Sequence, residues 1–480
     1  MATSKLQQYS QKPRVFILSD ISNEPDDAES LCRYLLYANQ FETEGLIACT
    51  STWMKDKVCP QYMEKMIDAY AGAVENLNKH VHPAWQYPSA EHMRSLIRKG
   101  PETYGMSAAS IEIEMSPGAQ LLYDAIIAPS TQPLWVLCWG GTNTLAQALI
   151  NIDDDYDPED SKRLLSRIRV YAISDRDDTS AWIRNSFPDV FYIASIHGWA
   201  QYGLATWPGI SGEQYYGFDL GGPDSGTFSP SWLKQNIQIG PLGSFYPTPT
   251  CIAEPSTPSF LYLIQNGLSV PDQPDFGSWG GRYSLTDPSA EGLNSSHYSD
   301  VVDRVRVQDR TYASNHATIW RWRPAFQNDF AARMRWSMTP DFSAANHAPV
   351  LVVNGAADLA PVRISAAPGS TVTLDASASY DPDGDTLRFK WWHYREPSAT
   401  HWLVDNEIGK LRIKPLDRVG AKVAVTVGGE AAMGCVLHLI LEVRDDGVPS
   451  LTSYRRVLIQ VVGKQGDGGV EGIREGVKKL

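Results

Sequence analysis

No stretch of this sequence is apolar for long enough to cross a membrane: no run approaches the ~18 residues that a span needs. The N-terminus, MATSKLQQYSQKPR, lacks the apolar segment of a secretory leader. The chain as given therefore reads as cytoplasmic, or as secreted if it is a processed form. Basic charge is scarce as well. Against 55 Asp and Glu there are 42 Lys and Arg, a net charge of −13. That balance argues against nucleic acid and against anionic membrane surfaces, since both need a basic patch. Cysteine is sparse and unpatterned, with six residues, no CxxC pair and no regular spacing, so neither a zinc site nor a disulfide framework is expected. Cys32, Cys49 and Cys138 fall in apolar runs and read as buried thiols.

Aromatic residues, by contrast, are abundant, with 15 Trp and 22 Tyr. Such a surplus serves either sugar-stacking surfaces or a well-filled core. The length of 480 residues favours two domains. In the first part, short apolar runs at residues 15–18, 44–50, 134–139, 169–174 and 190–195 alternate with amphipathic segments such as 28–38, 61–79 and 143–150. That alternation predicts a parallel sheet with flanking helices. Near residue 345 the helical periodicity stops. Six short β-type runs follow, at 362–364, 371–374, 387–394, 423–427, 436–443 and 455–462, separated by Asp/Gly/Pro turns. They predict a β-sandwich. The expected units are 1–344, 345–463 and a polar, Gly-rich tail at 464–480.

The strongest chemical signal is Ser19-Asp20-Ile21-Ser22-Asn23-Glu24-Pro25-Asp26-Asp27, at the carboxyl end of the first strand. Ligands of open α/β sheets bind at that edge. Crowded carboxylates repel one another, and a hard cation is the usual reason to hold them together. An acidic helix start explains Asp26 and Asp27 but not Asp20. His197, just past a strand, is placed to act as a general acid or to bond backbone. Trp279-Gly280-Gly281-Arg282-Tyr283 offers an aromatic plane and a bidentate cation to a sugar or anion, or is a structural turn. Asp381, Asp383 and Asp385 resemble the calcium loops of extracellular sandwiches, or form a solvated turn.

The strand, the acidic turn ending Asp26-Asp27-Ala28 and the following helix resemble the N-terminal signature of the nucleoside hydrolases. Trp139-Gly140-Gly141-Thr142-Asn143-Thr144-Leu145-Ala146 is similar to a second turn of that family. A closer resemblance runs through Ser22-Asn23-Glu24-Pro25-Asp26-Asp27, Trp139-Gly140-Gly141, Ser195-Ile196-His197-Gly198-Trp199, Gly277-Ser278-Trp279-Gly280-Gly281-Arg282-Tyr283 and the stretch from Trp320 to Met334. It points to a bacterial and fungal family that joins a nucleoside-hydrolase-like domain to an immunoglobulin-like C-terminal domain. Its members are described as cellulose-binding or plant-polysaccharide-associated.

The resemblance implies a Ca²⁺ ion on Asp20, Asp27 and the Thr142 carbonyl. Read as an enzyme, the chain would use Glu24 or Asp26 as base in place of the family's general base, lost at Ser22, with His197 assisting the leaving group and Asn23, Trp139, Trp199, Trp279, Arg282 and Tyr283 as substrate contacts. Two departures weigh against the metal. Ser22 stands where the nucleoside hydrolases carry an Asp, and Ser256 where the closer family is expected to carry one. Calcium binding is therefore expected to be weak or lost. Three readings of function remain open: a hydrolase of a glycosidic bond in a sugar or plant glycan, a non-catalytic binder of cell-wall glycan, and a hydrolase fold repurposed for a small-molecule reaction of fungal-type metabolism.

Overall fold

The computed structural model describes residues 3–197, 201–212, 222, 225–250, 252–286, 297–398 and 409–463. Trp199, Cys251 and the tail at 464–480 lie outside the described residues. β1 (Arg14–Ser19), β2 (Glu42–Ala48), β3 (Ile97–Lys99), β4 (Leu134–Cys138), β5 (Ile168–Ala172), β6 (Phe191–Ala194), β7 (Tyr283–Thr286) and β8 (His297–Asp300) form one sheet in the order β3-β2-β1-β4-β5-β6-β8-β7. All neighbours run parallel except β7 and β8. β1 and β4 are buried at every position, as strands covered on both faces must be.

The pleat sorts their side chains between two cores. Val15, Ile17, Trp135, Leu137 and Tyr171 face one side, against the helices Asp26–Leu35, Pro60–Ala71 and Arg323–Trp336. Phe16, Leu18, Val136, Cys138 and Val170 face the other, against Pro117–Ile127 and Asn143–Asp155. The helix expected across 61–79 is broken in two at Gly72, which caps the first segment before Val74–Leu77 begins. From β1 the chain passes to β2 and β3 on one side, and from β4 to β5 and β6 on the other. The strand order thus reverses between β1 and β4, and a crevice opens there at the carboxyl ends.

A short hairpin of β9 (Asp303–Val307) and β10 (Arg310–Ser314) follows. The sandwich comprises β11 (Val362–Ala366), β12 (Thr371–Asp375), β13 (Arg388–Tyr394), β14 (Leu411–Pro415), β15 (Lys422–Val427), β16 (Val436–Arg444) and β17 (Thr452–Val461). Its sheets are β11-β17-β16-β13 and β12-β15-β14, antiparallel throughout except for the parallel pair β11 and β17.

The sandwich has its own core around Val353, Leu374, Val425, Leu439 and Val457. Its other face does not stand apart. Tyr394, Ile440 and Tyr454 enter the same apolar cluster as Trp279, Trp322 and Phe326 of the α/β part. The Tyr454 and Arg456 N–H groups donate to the carbonyls of Asn266 and Gly267 at 3.0 and 3.1 Å. Gly267 has φ +83°, and any Cβ there would strike the Tyr454 carbonyl. The fully buried Arg456 donates to the Leu268 and Gly277 carbonyls at 3.0 and 2.8 Å. Asp303 accepts from Arg282, Arg321 and the Tyr394 hydroxyl at 2.7, 2.6 and 2.7 Å. Burial opposes its ionisation, yet Arg282 and Arg321 hold the carboxyl below its ordinary range. Among the described residues no helix is long and apolar enough to cross a membrane.

Candidate functional site

The acidic turn leaves β1 at the reversal of strand order. Ser22 sits at φ +86° as the third residue of a turn closed by the Asn23 N–H on the Asp20 carbonyl, 3.1 Å. A positive φ at that position is what a type II turn requires, and a non-glycine residue holds it under strain. Pro25 precedes the helix Asp26–Leu35, whose first turn carries Asp26, Asp27 and Glu29. The Asp26 carboxylate accepts the Asp27 N–H at 2.9 Å.

The turn after β4 packs directly on this loop. The Trp139 and Gly140 N–H groups both donate to the Leu18 carbonyl. A Cβ on Gly140 would lie 2.9 Å from the Asp20 nitrogen and 2.8 Å from the Cys49 Sγ. Thr142 is therefore close by, but its side chain is spent on Asp177, Thr179 and Ser180 at 3.1, 2.6 and 2.9 Å. Its carbonyl accepts the Ala146 N–H of the following helix at 2.9 Å.

Asp27 is buried with both carboxylate oxygens engaged. The Ser19 hydroxyl donates to one at 2.5 Å and the Ser256 hydroxyl to the other at 2.9 Å. Ser256 thus meets Asp27 through a direct hydrogen bond, where the resemblance implies two carboxylates bridged by a cation. Among the described residues, the acidic loop brings no three acidic side chains together with one oxygen from each inside 4.8 Å of the others. As arranged, these residues do not fit the calcium ion of the resemblance.

Burial and crowding raise the affinity of these carboxylates for protons. Burial, then Asp20 and Asp26, raises the Asp27 carboxyl well above its ordinary range, against the two serine hydroxyls. Burial raises Asp20, against the Arg176 guanidinium and the Ser51 hydroxyl. Asp26 is pushed up to about 7 by burial and by Asp20, with Arg176 opposing. It can hold or release a proton near neutral pH. Glu24 is exposed at the rim and Asn23 half-buried beside it.

Arg176, Trp53 and Tyr202, beyond the expected set, join the expected His197 at the crevice. Arg176, after β5, is buried with its guanidinium 5.3 Å from the Tyr202 ring. His197, after β6, bonds the Ser174 hydroxyl at 2.9 Å and meets the Tyr202 ring edge-on at 5.1 Å. Trp53, after β2, remains 45% exposed while its indole N–H donates to the Tyr202 hydroxyl at 2.8 Å. An exposed indole fixed by the Tyr202 hydroxyl, with the Arg176 guanidinium on the same tyrosine ring, has the shape and polarity on which a sugar ring can stack.

The other expected contacts among the described residues are packed internally. Trp139 is buried with its indole N–H on the Ser259 hydroxyl, 2.9 Å. Trp279 lies against Phe326 and Tyr454. Arg282 holds Asp303, and the Tyr283 hydroxyl bonds that of Tyr171 and the Gly280 carbonyl. Each belongs to the core or to the junction with the sandwich, and none presents a face to the crevice.

Residues 14–283 match the family described as cellulose-binding Sde182, nucleoside hydrolase-like domain. Residues 371–461 match the C-terminal domain of the cellulose-binding protein Sde0182. No curated protein matches the chain. Among solved structures, a nucleoside hydrolase-related hypothetical protein from Saccharophagus degradans, associated with carbohydrate metabolism, is 32% identical. The similarity covers 94% of this chain and all of that one, with a TM-score of 0.78. The chain belongs to the Sde182 family of nucleoside hydrolase-like proteins.

Proposed function

We propose that the chain binds plant cell-wall glycan in the crevice between β1 and β4, and that it does so without the calcium chemistry of the nucleoside hydrolases. The capture of both Asp27 oxygens by Ser19 and Ser256 carries this reading. A carboxylate so engaged does not orient a metal-bound water. The exposed Trp53 ring, fixed by Tyr202, supplies the stacking surface, while Asp20, Asp26 and Arg176 offer acceptors and a donor to sugar hydroxyls. The cellulose-binding description of the family, and the carbohydrate-metabolism association of the Saccharophagus relative, support the same class of ligand.

The test is retention on insoluble cellulose and affinity electrophoresis through soluble β-glucan and xylan. Trp53→Ala should weaken binding at least tenfold while leaving the melting midpoint unchanged, since the ring is 45% exposed. Stacking of a base on an aromatic side chain is worth about 1–3 kcal/mol, and a sugar face is expected to fall within that range. Undiminished binding by the variant, or none by the parent chain, refutes the proposal.

A second reading rests on Asp26. Its carboxyl near 7, beside Asp20, suits metal-independent proton transfer to a leaving sugar. Release of p-nitrophenol from aryl glycosides in excess chelator, abolished in Asp26→Asn, would establish it.

A further inference from the structure

We propose that Asp381, Asp383 and Asp385 hold a divalent cation of the calcium class in the sandwich, beside its junction with the α/β part. The proposal is independent of the crevice. Among the described residues, Asp381, Asp383 and Asp385 form the only group of at least three His, Cys, Asp or Glu side chains whose ligand atoms all lie within 4.8 Å. A buried oxygen gives this cluster a need that a solvated turn would not have. One oxygen of Asp381 accepts the N–H groups of Asp383, Gly384 and Asp385 at 2.8, 3.0 and 3.2 Å. Its other oxygen is buried with no donor.

Asp445, 1% exposed, repeats the pattern. Its Oδ1 accepts the Asn346 amide and the Gly447 and Leu451 N–H groups at 3.1, 3.1 and 2.9 Å. Its Oδ2 is buried and has no partner. Asn346, whose amide bonds Asp445, is followed by His347, whose N–H bonds Asp383, so two successive residues tie Asp445 to the cluster. In both residues one oxygen fastens a loop and the other is left buried without a donor. A buried acceptor in that state is costly, and more so among like charges. Ca²⁺ takes several carboxylate oxygens in flexible geometry and would satisfy that of Asp381.

The same residues fix the junction. Asp383 accepts the His347 N–H at 2.7 Å and meets its Nδ1 at 3.0 Å, while the His347 ring lies 5.2 Å from that of Trp336 in the last helix of the α/β part. An ion here would brace the linker rather than serve the crevice.

Chelator-treated full-length protein, titrated calorimetrically with CaCl₂ and followed by thermal melting, tests this. The expected result is one ion per chain with Kd on the order of 0.1–1 mM, as in extracellular calcium modules, and a raised melting midpoint. Asp381, Asp383 and Asp445 each anchor backbone N–H groups through a carboxylate oxygen, and Asp385 does not. Asp385→Asn should therefore weaken the titration at least tenfold without loosening a loop. Should that variant fail to fold, Asp385→Glu, which keeps the charge but displaces the oxygen, takes its place with the same expectation. Absence of heat and of a melting shift at ~10 mM Ca²⁺, well above the range for such modules, overturns the assignment. So does a titration lost in Asp26→Asn and kept in Asp385→Asn, which would move the ion to the crevice.

Discussion

Ser256 replaces the charge of an expected carboxylate with a hydroxyl, and a hydroxyl can do for Asp27 part of what a cation would. Ser256→Ala removes one of the two donors to a buried carboxyl. It should cost about 1–3 kcal/mol, read as a lower melting midpoint. Asp26 makes the pH dependence predictable in sign. Its carboxyl moves from the ordinary 3.8 to about 7 on folding. Between about pH 4 and pH 7 the folded chain therefore holds a proton that the unfolded chain has released. Stability contributed by this group is greatest at the acid end of that window and declines as pH rises through it. Asp26→Asn should raise the melting midpoint at pH 8, by the equivalent of about 1 kcal/mol once solvent screening of a half-buried group is allowed for, and flatten its slope against pH. A slope equal to that of the parent would contradict the assignment.

At the scale of elements, the β1 and β4 turns meet only because Gly140 lacks a side chain. Gly140→Ala would place a methyl 2.8 Å from the Cys49 Sγ. It is expected to cost about 1–3 kcal/mol and to weaken glycan retention together with stability, in contrast to Trp53→Ala. This pairing of turns is legible in the sequence, since each follows a continuous apolar run and carries a recognisable motif. Trp53, Arg176 and Tyr202 are not. Each stands singly after a different strand, and only the order β2-β1-β4-β5-β6 gathers them at one edge. Trp139, Trp279, Arg282 and Tyr283 illustrate the converse. An aromatic ring or a guanidinium looks the same in sequence whether it meets a sugar or a buried Asp303. In the sandwich, β14 escapes the pattern because its five residues, LRIKP, alternate with charges and end in proline. β3 is shorter still, at three residues.

For the whole molecule, the change of periodicity near residue 345 marks a change of architecture and the start of a second core, but not a clean separation. Tyr394, Ile440 and Tyr454 are shared with the larger part. Separated residues 345–463 should therefore expose these side chains together with the Tyr454–Arg456 edge of β17, and self-associate on size-exclusion chromatography. A monomeric, cooperatively melting fragment would show that the junction is dispensable. Arg456→Ala in the full chain would leave the Leu268 and Gly277 carbonyls without their donors and should destabilise it by about 3 kcal/mol or more.

The backbone bonds from β17 to Asn266 and Gly267 also have a mechanical meaning. A carbohydrate-binding module on a tether can swing, and tension on its ligand is absorbed by the linker. Here the sandwich is stitched through its own strand to a loop of the α/β part. Force applied by a polysaccharide lying in the crevice would pass into both parts as one stiff body. Pulled from its ends, the chain should give a single high rupture event in which the two halves yield together, and not a staircase of separate unfoldings.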